Sequence, residues 1–139
     1  MLPEQMITAL VRRQNQLMVR NNQAGCYSAL MQANPNNTAP YDALSPDTIL
    51  DAIESVGIEP TGSLLALNSY ENRVYQVGLE SGEFVIAKFY RPNRWTDAAI
   101  AEEHAYTQGL FDDEISVVPP MQIDGTTVFN HADFRFAIF

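Results

Sequence analysis

The sequence predicts an α+β domain built on an antiparallel sheet, with one helix inserted between the third and fourth strands. Three observations predict it. Residues 63–90 carry three β-rich runs joined only by short polar connections. Two segments, near 45–57 and 96–110, set apolar residues at helical spacing behind N-cap residues. A second group of β-rich runs, from Val117 to Phe139, follows the second of these helices.

Leu2 to Arg20 can form a helix, with Pro3 in its first turn and Met6, Leu10 and Leu17 on one side. Asn34-Pro35-Asn36-Asn37-Thr38-Ala39-Pro40 has the composition of a linker. Charge changes at the same place. Residues 1–40 hold three arginines and one acid (net +2), whereas the remainder holds five basic and sixteen acidic residues (net -11). The expectation is an N-terminal extension over 1–40, either a frayed appendage or a partner-binding helix, and a folded domain over 41–139. Deleting residues 1–38 should leave that domain folded.

Within the domain, Ser45-Pro46-Asp47-Thr48 supplies an N-cap, a proline at the first helical position and an acid at the positive dipole end. Ile49, Leu50, Ile53 and Val56 follow at helical spacing, and Gly57 stops the helix. Strands are predicted over Ser63–Leu67, Arg73–Leu79 and Phe84–Tyr90, the last two joined through Ser81-Gly82. Thr96 caps a helix to about Leu110, with Ile100, Glu103 and either Tyr106 or Thr107 along one flank. Val117–Ile123, a turn at Asp124-Gly125, Thr126–Phe129 and Phe134–Phe139 supply the remaining strand.

Composition excludes several classes of function. The net charge of -9 gives the chain no electrostatic attraction to nucleic acid or anionic lipid, so neither is expected as a partner. A hydrophobic content of 46% with 18% charged residues is that of a globular chain that can bury a core. Cys26 is the single cysteine, and His104 and His131 are far apart, which argues against a disulfide and a zinc site. No apolar run reaches the ~18 residues of a membrane span, and no secretory signal pattern follows Arg12, Arg13 and Arg20. A cytoplasmic location is expected.

The chemistry is concentrated in Phe84-Val85-Ile86-Ala87-Lys88-Phe89-Tyr90, an apolar strand with one charge inside it. A buried ammonium is costly to desolvate unless an anion meets it. Lys88 either points outward and guards an edge strand or is held rigidly to grip phosphates. Glu102 and Glu103 on the next helix lie where a carboxylate can reach back to it, although such pairs are also common on solvated helix faces. Strand, lysine, short connection, helix and glutamate is the order used to hold ATP. Between the first two strands lies Asn68-Ser69-Tyr70-Glu71-Asn72-Arg73, a glycine-free turn. Asn68 and Asn72 tolerate left-handed backbone, and Ser69 offers a hydroxyl and an N–H. An ordinary polar hairpin turn would read the same way.

Three stretches, LNSYENRVYQV, FVIAKFYRPNRW and EEHAYTQGL, together resemble the bacterial stress-response serine/threonine kinases, relatives of the aminoglycoside phosphotransferase-like and choline-kinase-like enzymes. The resemblance runs from YDALSPDTILDAIESVG to FRFAIF, about residues 41–139. It implies a kinase-like N-lobe with a five- to six-stranded antiparallel sheet and one inserted helix, preceded by N-terminal helices. It also implies that Asn68, Ser69, Tyr70, Glu71, Asn72 and Arg73 cover the phosphates of ATP and that Lys88 is the ATP lysine. Glu103 is the implied partner of Lys88, with Glu102 as second choice. Phe136–Phe139 would lead into the segment whose backbone meets adenine. ATP and Mg²⁺ are the implied cofactors, and a protein substrate is the implied acceptor in the full-length enzyme.

The pattern also departs from that family. Its members continue into a helical lobe with a His-x-Asp-x-x-x-x-Asn loop and a later metal-binding Asp. Here His131-Ala132-Asp133 imitates the first three positions, but position 138 is Ile138, and the surrounding strands make this a turn. No catalytic base and no metal ligand is therefore assigned in this chain, and kinase activity from it alone is not expected. Two alternatives stand: part of a small-molecule kinase acting on choline, homoserine or an aminoglycoside, and a non-catalytic lobe that binds a partner.

Overall fold

A computed structural model of the protein describes residues 40–139. The helix expected over 2–20 lies outside the described residues, as does all of the linker except Pro40. The order of elements is α1 (Pro46–Ser55), β1 (Pro60–Leu67), β2 (Arg73–Leu79), β3 (Phe84–Phe89), α2 (Asp97–Asp112), β4 (Phe129–His131) and β5 (Phe134–Ile138). The strands form one antiparallel sheet in the order β1-β2-β3-β5-β4, with α2 inserted between β3 and β4. This is the predicted α+β class, with five strands.

Both helices start where their caps predict. The Ser45 side chain accepts the Thr48 N–H at 3.1 Å, with Pro46 at the first helical position. Ile49, Ala52 and Ile53 then fall on one buried face. Gly57 ends this helix in a left-handed conformation (φ 82) that a side chain would strain. At α2 the Thr96 hydroxyl accepts the Ala99 N–H at 3.2 Å. The buried residues of α2 are Ile100, His104 and Thr107. Thr107 is thus the inward residue, while Tyr106 is exposed.

Three expectations about strands are corrected. The first strand begins at Pro60, three residues before Ser63. Its pairing with β2 is irregular, because the five residues from Pro60 to Leu64 run against the three from Leu79 to Val77. Gly62 (φ 87) absorbs the excess as a bulge. Residues 117–123 form no strand, since Pro119 and Pro120 remove two successive N–H donors. Ile123, paired with Thr126 across the Asp124-Gly125 turn, and the Met121 N–H, donated to the Ile138 carbonyl at 2.7 Å, keep β-type bonds there. The strand expected over Thr126–Phe129 begins instead at Phe129. Ala132 (φ 46) and Asp133 (φ 68) make the tight turn between β4 and β5, so His131-Ala132-Asp133 is a turn.

Alternation along β3 divides the molecule into layers. Val85, Ala87 and Phe89 join Val77, Phe134, Phe136 and Ile138 under Ile49 and Ile53 of α1, forming the main core. On the opposite face, Tyr90 packs with Ala137 and with Ile100 of α2. Lys88 lies on this second face, opposite Val74 and Ala137 in the register. Phe89 and Phe136 stack with ring centroids 5.3 Å apart, which braces the middle of the sheet beneath Lys88.

Candidate functional site

Lys88 is the only lysine in the chain, and it is 2% exposed. Both flanking strands hydrogen-bond to β3, so the backbone that carries it is fixed on two sides. Its Nζ donates to Glu103 Oε1 at 2.8 Å. Among the described residues this carboxylate is the only anion paired with it. The ammonium also lies 4.8 Å from the centre of the Tyr90 ring. Lys88 therefore does not guard an edge. Glu102 is exposed, so the register of α2 selects Glu103.

Around this pair lies a polar cluster that the sequence reading missed. Tyr90 Oη is 3.5 Å from Glu103 Oε2 and 2.8 Å from His104 Nε2. His104 Nδ1 is 2.7 Å from Thr127 Oγ1, and the ring meets Phe139 edge-on. Burial, reinforced by the charge of Lys88, lowers the His104 pKa from 6.5 to about 4 and keeps the ring neutral at ordinary pH. Burial chiefly, then the Glu103 charge and hydrogen bond, hold the Tyr90 phenol protonated well above its usual range. The missed signal was the spacing of His104 from Ile100 and Thr107, which places all three on one helix face. His104 and Thr127 also line a cleft of about 570 Å³ between α2 and residues 120–130.

The turn between β1 and β2 lies at the same end of the sheet, because Leu67 pairs with Val74 and Val74 with Lys88. Its residues divide into two groups. Asn68, Ser69 and Tyr70 form the outer part, with Tyr70 94% exposed. Glu71, Asn72 and Arg73 anchor its base. Glu71 Oε1 is 3.3 Å from Arg94 Nε and 3.7 Å from an Arg91 nitrogen. The buried Asn72 side chain accepts the Arg91 N–H at 3.2 Å. The Arg73 guanidinium lies over the Tyr41 ring at 4.6 Å, and the Tyr41 hydroxyl donates to the Glu71 carbonyl at 2.9 Å. Desolvation raises the Tyr41 pKa, which keeps that hydroxyl a donor. The motifs around residues 41, 68–73 and 88–95 are thus one interlocked unit. Neither Asn68 nor Asn72 adopts the left-handed backbone their residue type allows; in this region Asn93 (φ 58) does. On the other side of β3, Ile86 and Phe139 exchange both backbone hydrogen bonds at 2.9 Å, which sets 136–139 beside Lys88's strand.

Among the described residues no three histidine, cysteine or carboxylate side chains converge as metal ligands, and no helix is long and apolar enough to cross a membrane.

An antiparallel five-stranded sheet whose central strand offers a buried lysine to a glutamate on the inserted helix defines a class, the kinase-like N-lobe. Comparison with known proteins narrows it. The chain is 47% identical over 105 residues to stress response kinase A of Escherichia coli K12, covering 75% of this chain and 32% of that protein. The protein of the same name from Shigella flexneri matches to the same extent. Serine/threonine protein kinase RdoA of Salmonella typhimurium LT2 is 41% identical over 104 residues, with the same coverage. No protein-family model matches the chain. Over the matched stretch the chain is similar to these stress response kinases, and it spans about a third of the length of these curated relatives.

Proposed function

We propose that this chain is the N-terminal ATP-binding portion of a Mg-ATP-dependent serine/threonine protein kinase of the bacterial stress-response type, acting on a protein substrate in the cytoplasm. The observation that carries the reading is Lys88, the one lysine of the chain, buried in β3 and held by Glu103 at 2.8 Å. An ammonium fixed in this way can hold the α- and β-phosphates without losing its orientation when they leave. One N–H is directed at Glu103, and the other two are suited to phosphate oxygens. The turn over Asn68–Arg73 would cover the phosphates, with its base clamped by Arg91 and Arg94 and its Asn68-Ser69-Tyr70 tip open to solvent. Phe136–Phe139 would lead into the segment whose backbone meets adenine.

No described residue is assigned as a ligand of Mg²⁺, which would reach this lobe bound to the phosphates of ATP. The His-x-Asp-x-x-x-x-Asn pattern that would orient an acceptor hydroxyl is not completed after His131 and Asp133, because position 138 is Ile138. This segment by itself is therefore proposed to bind nucleotide without transferring phosphate.

The test is an ATP titration of the chain and of Lys88→Met, followed by the fluorescence of Trp95, the single tryptophan, which packs against the Tyr90 cluster. Saturable binding that falls tenfold or more in the variant supports the reading. Equal affinity in both would leave Lys88 as a structural partner of Glu103 and overturn it.

A further inference from the structure

We propose that Tyr90 and His104 are positioning residues that hold the Glu103 carboxylate against Lys88 through a directional chain of hydrogen bonds starting at Thr127. The inference deepens the ATP-binding reading and rests on it only for the effect on nucleotide affinity.

The direction of the chain follows from counting protons. Tyr90 has one hydroxyl proton and two neighbours, Glu103 Oε2 at 3.5 Å and His104 Nε2 at 2.8 Å. The carboxylate can only accept. If the phenol gave its proton to His104, its lone pairs would face the carboxylate oxygen with nothing between them. If His104 carries its proton on Nε2, every contact is satisfied. Thr127 donates to His104 Nδ1, His104 Nε2–H donates to Tyr90 Oη, and Tyr90 O–H donates to Glu103 Oε2. Lys88 then donates to Glu103 Oε1 at 2.8 Å. The two carboxylate oxygens are thus divided between the phenol and the ammonium. Hydrogen bonds to ionised groups are the stronger ones, which favours this polarity. His104 stays neutral in its buried site, so it has one proton and must choose one nitrogen. The Tyr90–Glu103 contact is the longest of the chain, and it therefore depends most on the ring being held from behind by His104.

The sole lysine makes the test direct. The chain is prepared with ¹³C,¹⁵N-lysine and ¹⁵N-histidine, and its nitrogen signals are recorded without nucleotide. Lys88 should give one ammonium signal protected from exchange, and His104 should be protonated on Nε2. In Tyr90→Phe, where the carboxylate is held at one oxygen only, and in His104→Leu, where the phenol loses the partner that holds it from behind, the Lys88 signal should broaden or exchange at least ~10-fold faster. His104→Gln places an amide N–H near the Nε2 position and should restore it. ATP affinity should fall about fivefold in Tyr90→Phe and in His104→Leu and stay near the original value in His104→Gln. Two results would each overturn the inference: His104 protonated on Nδ1 in the unmodified chain, or an unchanged Lys88 signal in a folded Tyr90→Phe. Should the unmodified chain fail to bind ATP while these nitrogen signals behave as described, it is the ATP-binding reading that fails and the positioning role that stands.

Discussion

Replacing Glu103 by glutamine leaves the Lys88 ammonium in place but removes the charge that makes its burial tolerable. Lys88 and Glu103 have side-chain exposures of 3% and 15%, so water can reach the carboxylate more readily than the amine. Breaking a buried pair from one side costs about 3–5 kcal/mol. Glu103→Gln should therefore destabilise the chain by about 3–4 kcal/mol, in the lower part of that range because the amide oxygen still accepts one bond. Lys88→Met should cost less, about 1–2 kcal/mol, because the abandoned carboxylate keeps access to water and to Tyr90. Removing both charges should recover most of the loss, since an apolar replacement of a buried pair is often neutral. Urea unfolding of the four proteins, monitored by Trp95, gives the coupling directly. Additive effects, with a coupling below about 0.5 kcal/mol, would show that the ion pair is not a unit and would refute the reasoning.

Three further outcomes concern His104 and the β1–β2 turn. His104 is held neutral, so its folded pKa of about 4 lies below the unfolded value of 6.5; the unfolded chain binds the extra proton between these values, and stability falls as pH drops from about 6.5 to 4 by on the order of 3 kcal/mol. The difference in unfolding free energy between the original chain and His104→Gln, measured across that range, should show this slope; a flat difference would contradict it. In the β1–β2 turn, Glu71→Ala should cost about 1–2 kcal/mol and speed amide exchange across 68–73, because it releases Arg91 and Arg94. Tyr70→Ala, at a side chain 94% exposed, should stay within about 0.5 kcal/mol.

The caps and the lysine–glutamate spacing were legible because each is a local rule. Ser45 and Thr96 accept the N–H groups their positions demand, and fifteen residues from Lys88 to Glu103 bring helix to strand. What escaped was settled by contacts between distant segments. Whether Tyr106 or Thr107 turned inward depended on the sheet face awaiting α2. The burial of His104 depended on Tyr90 and Thr127, fourteen and twenty-three residues away in sequence. Residues 117–123 looked β-rich by composition, but Pro119 and Pro120 outweighed their neighbours. The anchoring role of Glu71, Asn72 and Arg73 needed the position of Arg91, Arg94 and Tyr41, which no local pattern supplies.

The placement of the single lysine also gives the chain an unusual relation to a lysine-specific endoprotease. Its only cleavage point follows Lys88, in a strand paired on both sides, so scission requires β3 to leave the sheet. Digestion would then yield two products, residues 1–88 and 89–139, with no background cutting in loops or at the N-terminal extension. The rate of that one cut would follow the population of molecules in which the sheet has opened, and a bound nucleotide that favours the closed sheet would slow it in proportion to its occupancy.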